Sequence, residues 1–254
     1  MDPFQSALGL VIDRLEQIRG GGGRWPKASR SVLALLQQQP AFASPIHQGQ
    51  TKSDLLAEVQ RRVVVCKLCP HLAETRTQTV FGIGNPDAEI MFIGEAPGAD
   101  EDRRGEPFVG PAGQLLTKII ETMGFARKDV YIANVLKSRP NMPSGAPGNR
   151  PPTPDEMQHC LPFLIEQIKI VRPKVLVALG ATAVEGLLGT RSTMREMRGK
   201  WHAFEDTPLM ITYHPSYLLR TQALAEKRKV WEDMMLVMER IGRPISDKQR
   251  RYFL

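Results

Sequence analysis

Two short segments, far apart in the chain, hold residue types able to do chemistry together. One is Gly94-Glu95-Ala96-Pro97-Gly98; the other is His214-Pro215-Ser216-Tyr217-Leu218-Leu219-Arg220. In the first, a proline among small residues makes a stiff turn whose backbone N–H groups can face a ligand, and Glu95 is its one ionisable group. In the second, a histidine can donate a hydrogen bond to an oxygen that gains negative charge as a bond breaks. Leu218 and Leu219 could enter a base stack while Arg220 holds a phosphate, with Ser216 beside them. Phe108, in a Pro-Phe-Val-Gly stretch, offers a flat face for stacking on a base. Asn134 carries a donor and an acceptor on one planar edge, which is what reading a pyrimidine edge requires. Singly, each has an ordinary use: a turn, a core anchor, a cap, a half-buried histidine.

The elements around these residues are those of an α/β sheet. Short apolar runs at 89–93, 130–136, 174–179 and 209–213 read as strands. They alternate with helical patterns at 113–123, 155–170, 181–188 and 223–241, the second opened by Pro154 and Asp155. That order predicts a parallel-rich sheet with helices on both faces. Ligands of such sheets bind outside the carboxyl ends of the strands, where both chemical segments fall. Neither a Walker loop nor a three-glycine dinucleotide fingerprint is present, so no nucleotide cofactor is expected.

The organisation reads in three parts. Residues 1–52 form an extension with a helical pattern at 5–19 and a glycine run at 20–23. Residues 53–242 form the folded domain, opened by a helix over 54–65. Residues 243–254 form a basic tail expected to fray. Between them, the Pro/Gly-rich stretch 140–154 is long enough to suggest a function. The net charge of +7 suits a polyanionic partner without proving one. No apolar run reaches membrane-spanning length and no signal layout opens the chain, so a cytoplasmic protein without membrane contact is expected. No oligomerisation pattern stands out, which points to a monomer.

The segments GEAPGADED, EPFVGPAGQLL, Asn134-Val135-Leu136-Lys137, GNRPPTPDE, RPKVLVALGATA and HPSYLLR together resemble the iron–sulfur-containing family 4 uracil-DNA glycosylases. The resemblance runs from about Cys66 to Arg220. It implies a three-layer α/β/α fold with a mainly parallel central sheet and a DNA groove at its strand ends. It implies hydrolysis of the bond between uracil and deoxyribose in double- or single-stranded DNA, leaving an abasic site for base-excision repair. Glu95 and His214 would be catalytic. Gly94, Ala96, Gly98, Phe108 and Asn134 would surround the flipped uridine, and Ser216, Leu218, Leu219 and Arg220 would contact DNA. Ala96 stands where another glycosylase family carries a carboxylate. No general base is available there, which favours a dissociative route driven by leaving-group stabilisation. Two other readings remain: a catalytically impaired DNA-binding member, and a glycosylase for another damaged base.

The three cysteines sharpen the resemblance and break it. Cys66 and Cys69 form a C-x-x-C pair and Cys160 follows on a later helix. In the family, four cysteines hold a [4Fe–4S] cluster. The third normally lies in a Lys-Cys-Arg-Pro stretch, which here reads Lys137-Ser138-Arg139-Pro140. A [4Fe–4S] cluster completed by Ser138 or another group, a three-iron cluster, and a zinc or empty site are the alternatives, with an iron–sulfur cluster favoured. An insertion at 141–147 also lengthens the loop that follows.

Overall fold

Runs of apolar residues supply the centre of the sheet, and their burial shows why they are strands. In the computed structural model, which describes residues 49–140, 142 and 148–254, β2 (Ile90–Gly94), β3 (Tyr131–Asn134) and β4 (Val175–Leu179) are buried along their whole length. Burial on both faces is what a parallel strand covered by two helical layers requires. With β1 (Ile83–Gly84), β5 (Trp201–Phe204) and β6 (Thr207–Thr212) they form six strands in the order β1-β3-β2-β4-β6-β5. The four central strands run parallel, and the two edges pair antiparallel. The antiparallel edges were not foreseen, because both edge strands are short and neither is strongly apolar.

Around the sheet lie helices α1 (Lys52–Val65), α2 (Pro70–Thr75), α3 (Ala99–Arg104), α4 (Pro111–Thr122), α5 (Pro154–Val171), α6 (Ala181–Leu188), α7 (Met194–Met197), α8 (Pro215–Thr221), α9 (Leu224–Arg240) and α10 (Asp247–Arg250). Strand alternation divides the core in two. Met91, Ile93, Ala133, Leu176, Ala178 and Ile211 face α1, α5 and α6. Ile90, Phe92, Ile132, Val175, Val177 and Met210 face α4 and α9. The fold is therefore the expected three-layer α/β/α. Thr51 caps α1 and Thr153 caps α5, each in a reciprocal capping box. Gln50–Leu254 form one compact unit. The helix read at 5–19 and the glycine run at 20–23 lie outside the described residues, as does the insertion at 141–147 apart from Met142.

The basic tail does not fray. The Trp231 indole N–H of α9 donates to the Gln249 carbonyl at 2.7 Å, and the Tyr252 ring lies 5.6 Å from that of Trp231. Arg228 donates to the Arg250 and Tyr252 carbonyls, and the Arg243 guanidinium sits 4.4 Å above the Phe125 ring. Removing residues 243–254 strips the indole of its partner and bares apolar surface. A loss of roughly 2–3 kcal/mol is expected. That corresponds to a melting temperature lower by about 4–12 °C, measurable by calorimetry, with excision per folded molecule preserved.

Candidate active site

Register places the chemical residues. Gly94 pairs with Asn134 at the ends of β2 and β3, and Leu179 pairs with Thr212 at the ends of β4 and β6. The segments that continue from these ends converge over the point where the strand order reverses across β2, the usual ligand crevice of such sheets. A cavity of about 740 Å³ opens there. Glu95, Ala96, Gly98, Phe108, Asn134, His214, Ser216 and Arg220 all line it. Gly94 lies beneath it. A side chain at Gly94 would collide with the Asn134 Oδ1 and the Phe108 ring, both 2.4 Å from where its Cβ would stand.

Asn134 is buried, and its Oδ1 has no hydrogen-bond partner. An orphaned buried acceptor costs about 1–3 kcal/mol, so its presence in a cavity points to a ligand that supplies the missing donor. The backbone behind it is clamped. The fully buried Lys137 Nζ donates to the Asn134 carbonyl at 2.8 Å and to Gln167 Oε1 at 2.5 Å. Burial pulls the Lys137 ammonium down to about 7.

His214 caps α8. Its Nδ1 accepts from the Ser216 amide at 3.2 Å, and the Ser216 hydroxyl lies 2.8 Å from the same nitrogen. An amide N–H can only donate, so the ring proton resides on Nε2. Burial, reinforced by the Arg220 charge, lowers the imidazole to about 4, so it is a neutral donor near pH 7. The strand leading to it is anchored below. Thr212 Oγ1 donates to the wholly buried Asp233 at 2.6 Å, and Arg198 holds both carboxylate oxygens.

The Phe108 ring stacks with that of His214, centroids 5.6 Å apart and 30° between planes. Phe108 adopts φ 54°, a left-handed backbone that a bulky residue enters only under constraint. Part of that constraint is Gly113, where a Cβ would fall 1.9 Å from the Phe108 carbonyl. Glu95 accepts from the Thr182 hydroxyl at 2.7 Å; burial raises its carboxyl above the usual range and this bond partly offsets the rise.

Glu101 and Thr182 escaped the reading of the sequence. The Glu101 carboxylate accepts from the Gly98 amide at 3.1 Å and from the Val109 and Gly110 amides at 2.9 Å each. One side chain thus staples the 94–98 turn to the segment carrying Phe108. The Gly98-x-x-Glu101 spacing at the start of α3 was the available signal. Glu101→Ala leaves three amides without their charged acceptor. It is expected to lower stability by about 2–3 kcal/mol and single-turnover excision roughly 10-fold, read by thermal melting and rapid quench.

The apolar wedge divides. Leu218 is 4% exposed and belongs to the core, whereas Leu219 is 39% exposed. Neither lines the cavity, and of the two only Leu219 is exposed. Ser216, expected among DNA contacts, lines the cavity with its amide and hydroxyl against His214.

The remaining predicted residues meet elsewhere. Cys66, Cys69, Ser138 and Cys160 line one small cavity with Arg76, Lys137 and His159. Burial pushes the Cys69 thiol up to about 11, and the neighbouring Cys160, Glu156 and Cys66 add to the rise. This region is tied to the large cavity. Glu156 accepts from His71, just beyond Cys69, and from Arg150, which lines the large cavity.

Comparison with known proteins agrees with this geometry. The profile of the uracil DNA glycosylase superfamily matches residues 81–235. The type-4 uracil-DNA glycosylase of Thermotoga maritima is 44% identical over 189 residues, covering 72% of this chain and 93% of that protein. The type-4 enzyme of Archaeoglobus fulgidus is 41% identical, covering 68% and 87%. The type-5 uracil-DNA glycosylase of Thermus thermophilus is more distant, 27% identical over 71% of this chain. With its sheet, its cavity and these relatives in agreement, the chain belongs to the type-4 uracil-DNA glycosylases.

Proposed function

We infer that this chain is a uracil-DNA glycosylase of DNA repair: it cleaves the N-glycosidic bond of deoxyuridine in DNA and releases uracil. The observation that carries the inference is the unpartnered Asn134 Oδ1, sharing a cavity with a neutral imidazole that offers an Nε2 proton. Uridine rotates out of the stack into this cavity, and Phe108 lies against the base. Asn134 Oδ1 accepts from uracil N3–H, and its amide group donates to O4. As the bond from C1′ to N1 lengthens, its electron pair moves onto uracil, and His214 Nε2–H donates to the oxygen that gains charge. Glu95, on the cavity wall, stabilises the positive sugar and orients the water that adds to C1′. With alanine at position 96, leaving-group stabilisation carries most of the rate.

Leu219, outside the cavity, fills the gap left by the flipped nucleotide, and Arg220, which lines the cavity, holds a phosphate. Arg220→Gln is expected to weaken DNA binding uniformly and to reduce the slope of log affinity against log salt by about 1, read by anisotropy titration. Among the described residues no helix is long and apolar enough to cross a membrane. The substrate is DNA, as duplex or single strand.

We also assign the cysteine cavity to an iron–sulfur cluster. The donor set suits one: three thiols face one space, with Arg76 and Lys137 at hand to balance anionic sulfur. The space between them is only about 20 Å³, so a cluster requires exposed side chains on the rim, such as Leu68 and His159, to turn aside. Among the described residues no three His, Cys, Asp or Glu side chains are arranged to hold one metal ion. The cluster would pin α2 and α5, and through His71, Glu156 and Arg150 the rim of the DNA groove. Uracil release needs no electron transfer.

The test is release of uracil from an oligonucleotide, with U:G, U:A, single-stranded uracil, hypoxanthine and thymine substrates. Uracil release supports the inference. Tight DNA binding without excision would mean an impaired member, and excision confined to another base would mean a different glycosylase.

A further inference from the structure

Resting on the glycosylase reading above, we propose that Tyr213 and Tyr217 form a stacking platform for the base next to the flipped uridine, so that the enzyme holds two consecutive nucleotides and favours single-stranded DNA. Two aromatic pairs line the one cavity. The first is Phe108 with His214, beside Asn134, and it serves the uracil. The second is Tyr213 with Tyr217, ring centroids 4.7 Å apart and 37° between planes. Both tyrosines are half-buried, and the uracil chemistry uses neither.

The pair is fixed from behind. Arg198 lies over the Tyr213 ring, 5.5 Å from its centroid. Arg198 is itself held, donating to both Asp233 carboxylate oxygens and, at 2.7 Å, to the Lys229 carbonyl. Tyr217 packs against Tyr213, and its amide donates to the His214 carbonyl at 2.9 Å. The next residue, Leu218, is buried and anchors α8 in the core. Rings already held in place lose little freedom when a ligand stacks on them. An aromatic platform also tolerates any sequence, because every base has a π-face.

The phosphate contact decides which base the platform meets. Tyr217 and Arg220 are three residues apart on α8, and both line the cavity. Residues so spaced are neighbours on a helix surface, about 5–6 Å between Cβ atoms. That is comparable to the reach from phosphate to base within one nucleotide. With Arg220 on a phosphate beside the uridine, Tyr217 meets the base on the other side of that phosphate. In a duplex that base is paired and stacked, and drawing it onto a tyrosine costs the energy of both; in a single strand it is nearly free to move. The platform therefore strengthens binding to single strands more than to duplexes.

The experiment uses the full chain and single-turnover release of uracil over a range of enzyme concentrations, which separates a half-saturating concentration from a plateau rate. The probes are single-stranded oligonucleotides with either an ordinary base or a base-free tetrahydrofuran residue beside the uridine, on each side in turn, and the corresponding U:G and U:A duplexes. On the single strand, removing the base on one side should raise the wild-type half-saturating concentration by about 5- to 150-fold, the worth of one base–aromatic stack, with little change in the plateau. Tyr217→Leu should raise it by a similar factor with the base present and be indifferent to its removal. Tyr217→Phe, which keeps the ring, should restore the dependence on that base. On duplexes the leucine variant should lose less. The wild-type series alone keeps the test sound should the leucine variant fold poorly. Equal penalties for base removal in wild type and Tyr217→Leu, equal losses on duplex and single strand, or a loss in Tyr217→Leu confined to the plateau rate overturns the proposal. A wild type that releases uracil from every probe without a penalty on either side overturns the platform and leaves the glycosylase reading intact. One that releases uracil from none overturns both.

Discussion

Asn134→Ala is expected to slow single-turnover release of uracil by roughly 10³-fold while leaving the protein as stable as before, or slightly more so. The two effects have one cause. In the free protein the Asn134 Oδ1 is buried without a partner, so its removal relieves a desolvation cost and breaks no bond that the side-chain oxygen makes. The backbone stays in place, because Lys137 holds the Asn134 carbonyl and β3 is paired on both sides. What disappears is the pair of hydrogen bonds to the uracil edge. Sites built around such bonds discriminate by several powers of ten when they are lost. Rapid-quench kinetics and a thermal melt on the same preparation test this. A variant that excises uracil at near wild-type rate would remove Asn134 from base recognition. One that loses activity by unfolding would make it structural.

His214→Ala should cost about 10²- to 10³-fold in the same rate, the range expected when one donor to a developing anion is deleted. The pH profile adds a sharper test. An ordinary histidine titrates near 6.5. Here burial and the Arg220 charge bring the value down to about 4. As pH falls, protonation must put a hydrogen on Nδ1, where the Ser216 amide already points its own hydrogen. The charged form therefore disrupts the cap and the ring position. The contribution of His214 to the rate should stay level from pH 8 to about 5 and fall only as pH drops through about 4. Comparing wild type with His214→Ala across that range isolates it from Glu95, which titrates in both. A fall centred near 6.5 would mean that the imidazole titrates as an ordinary histidine, and a contribution that grows as pH drops would mean that it works in its charged form.

Much of this site could be read from the chain. Each central strand is a run of apolar residues, and each chemical residue follows a strand directly, so local pattern alone carried Glu95, Asn134 and His214 to one end of one sheet. Phe108 also lines the cavity, although its left-handed backbone was not foreseen; that strain depends on Gly113, whose missing side chain lets the Phe108 carbonyl approach. Other features were hidden because they depend on which face of a helix turns inward. Leu218 and Leu219 are neighbours of the same type, and only the docking of α8 makes one core and the other surface. That the Ser216 amide and hydroxyl meet His214 depends on the cap geometry and is not written in the segment. The tail reads as a charged end until Trp231 is found donating to it.

Residue types and their order by themselves determined the α/β class, the strands of the sheet centre, the family and most residues that line the large cavity, because those depend on periodicity and on short contiguous motifs. Only the tertiary structure decided the contacts between residues distant in sequence. It showed Glu101 joining two turns, Thr182 reaching Glu95, the chain from His71 through Glu156 to Arg150, and His159 beside Cys69 while Arg76 holds Ser138. These are set by the packing of helices whose spacing along the chain carries no record of which side chains will meet.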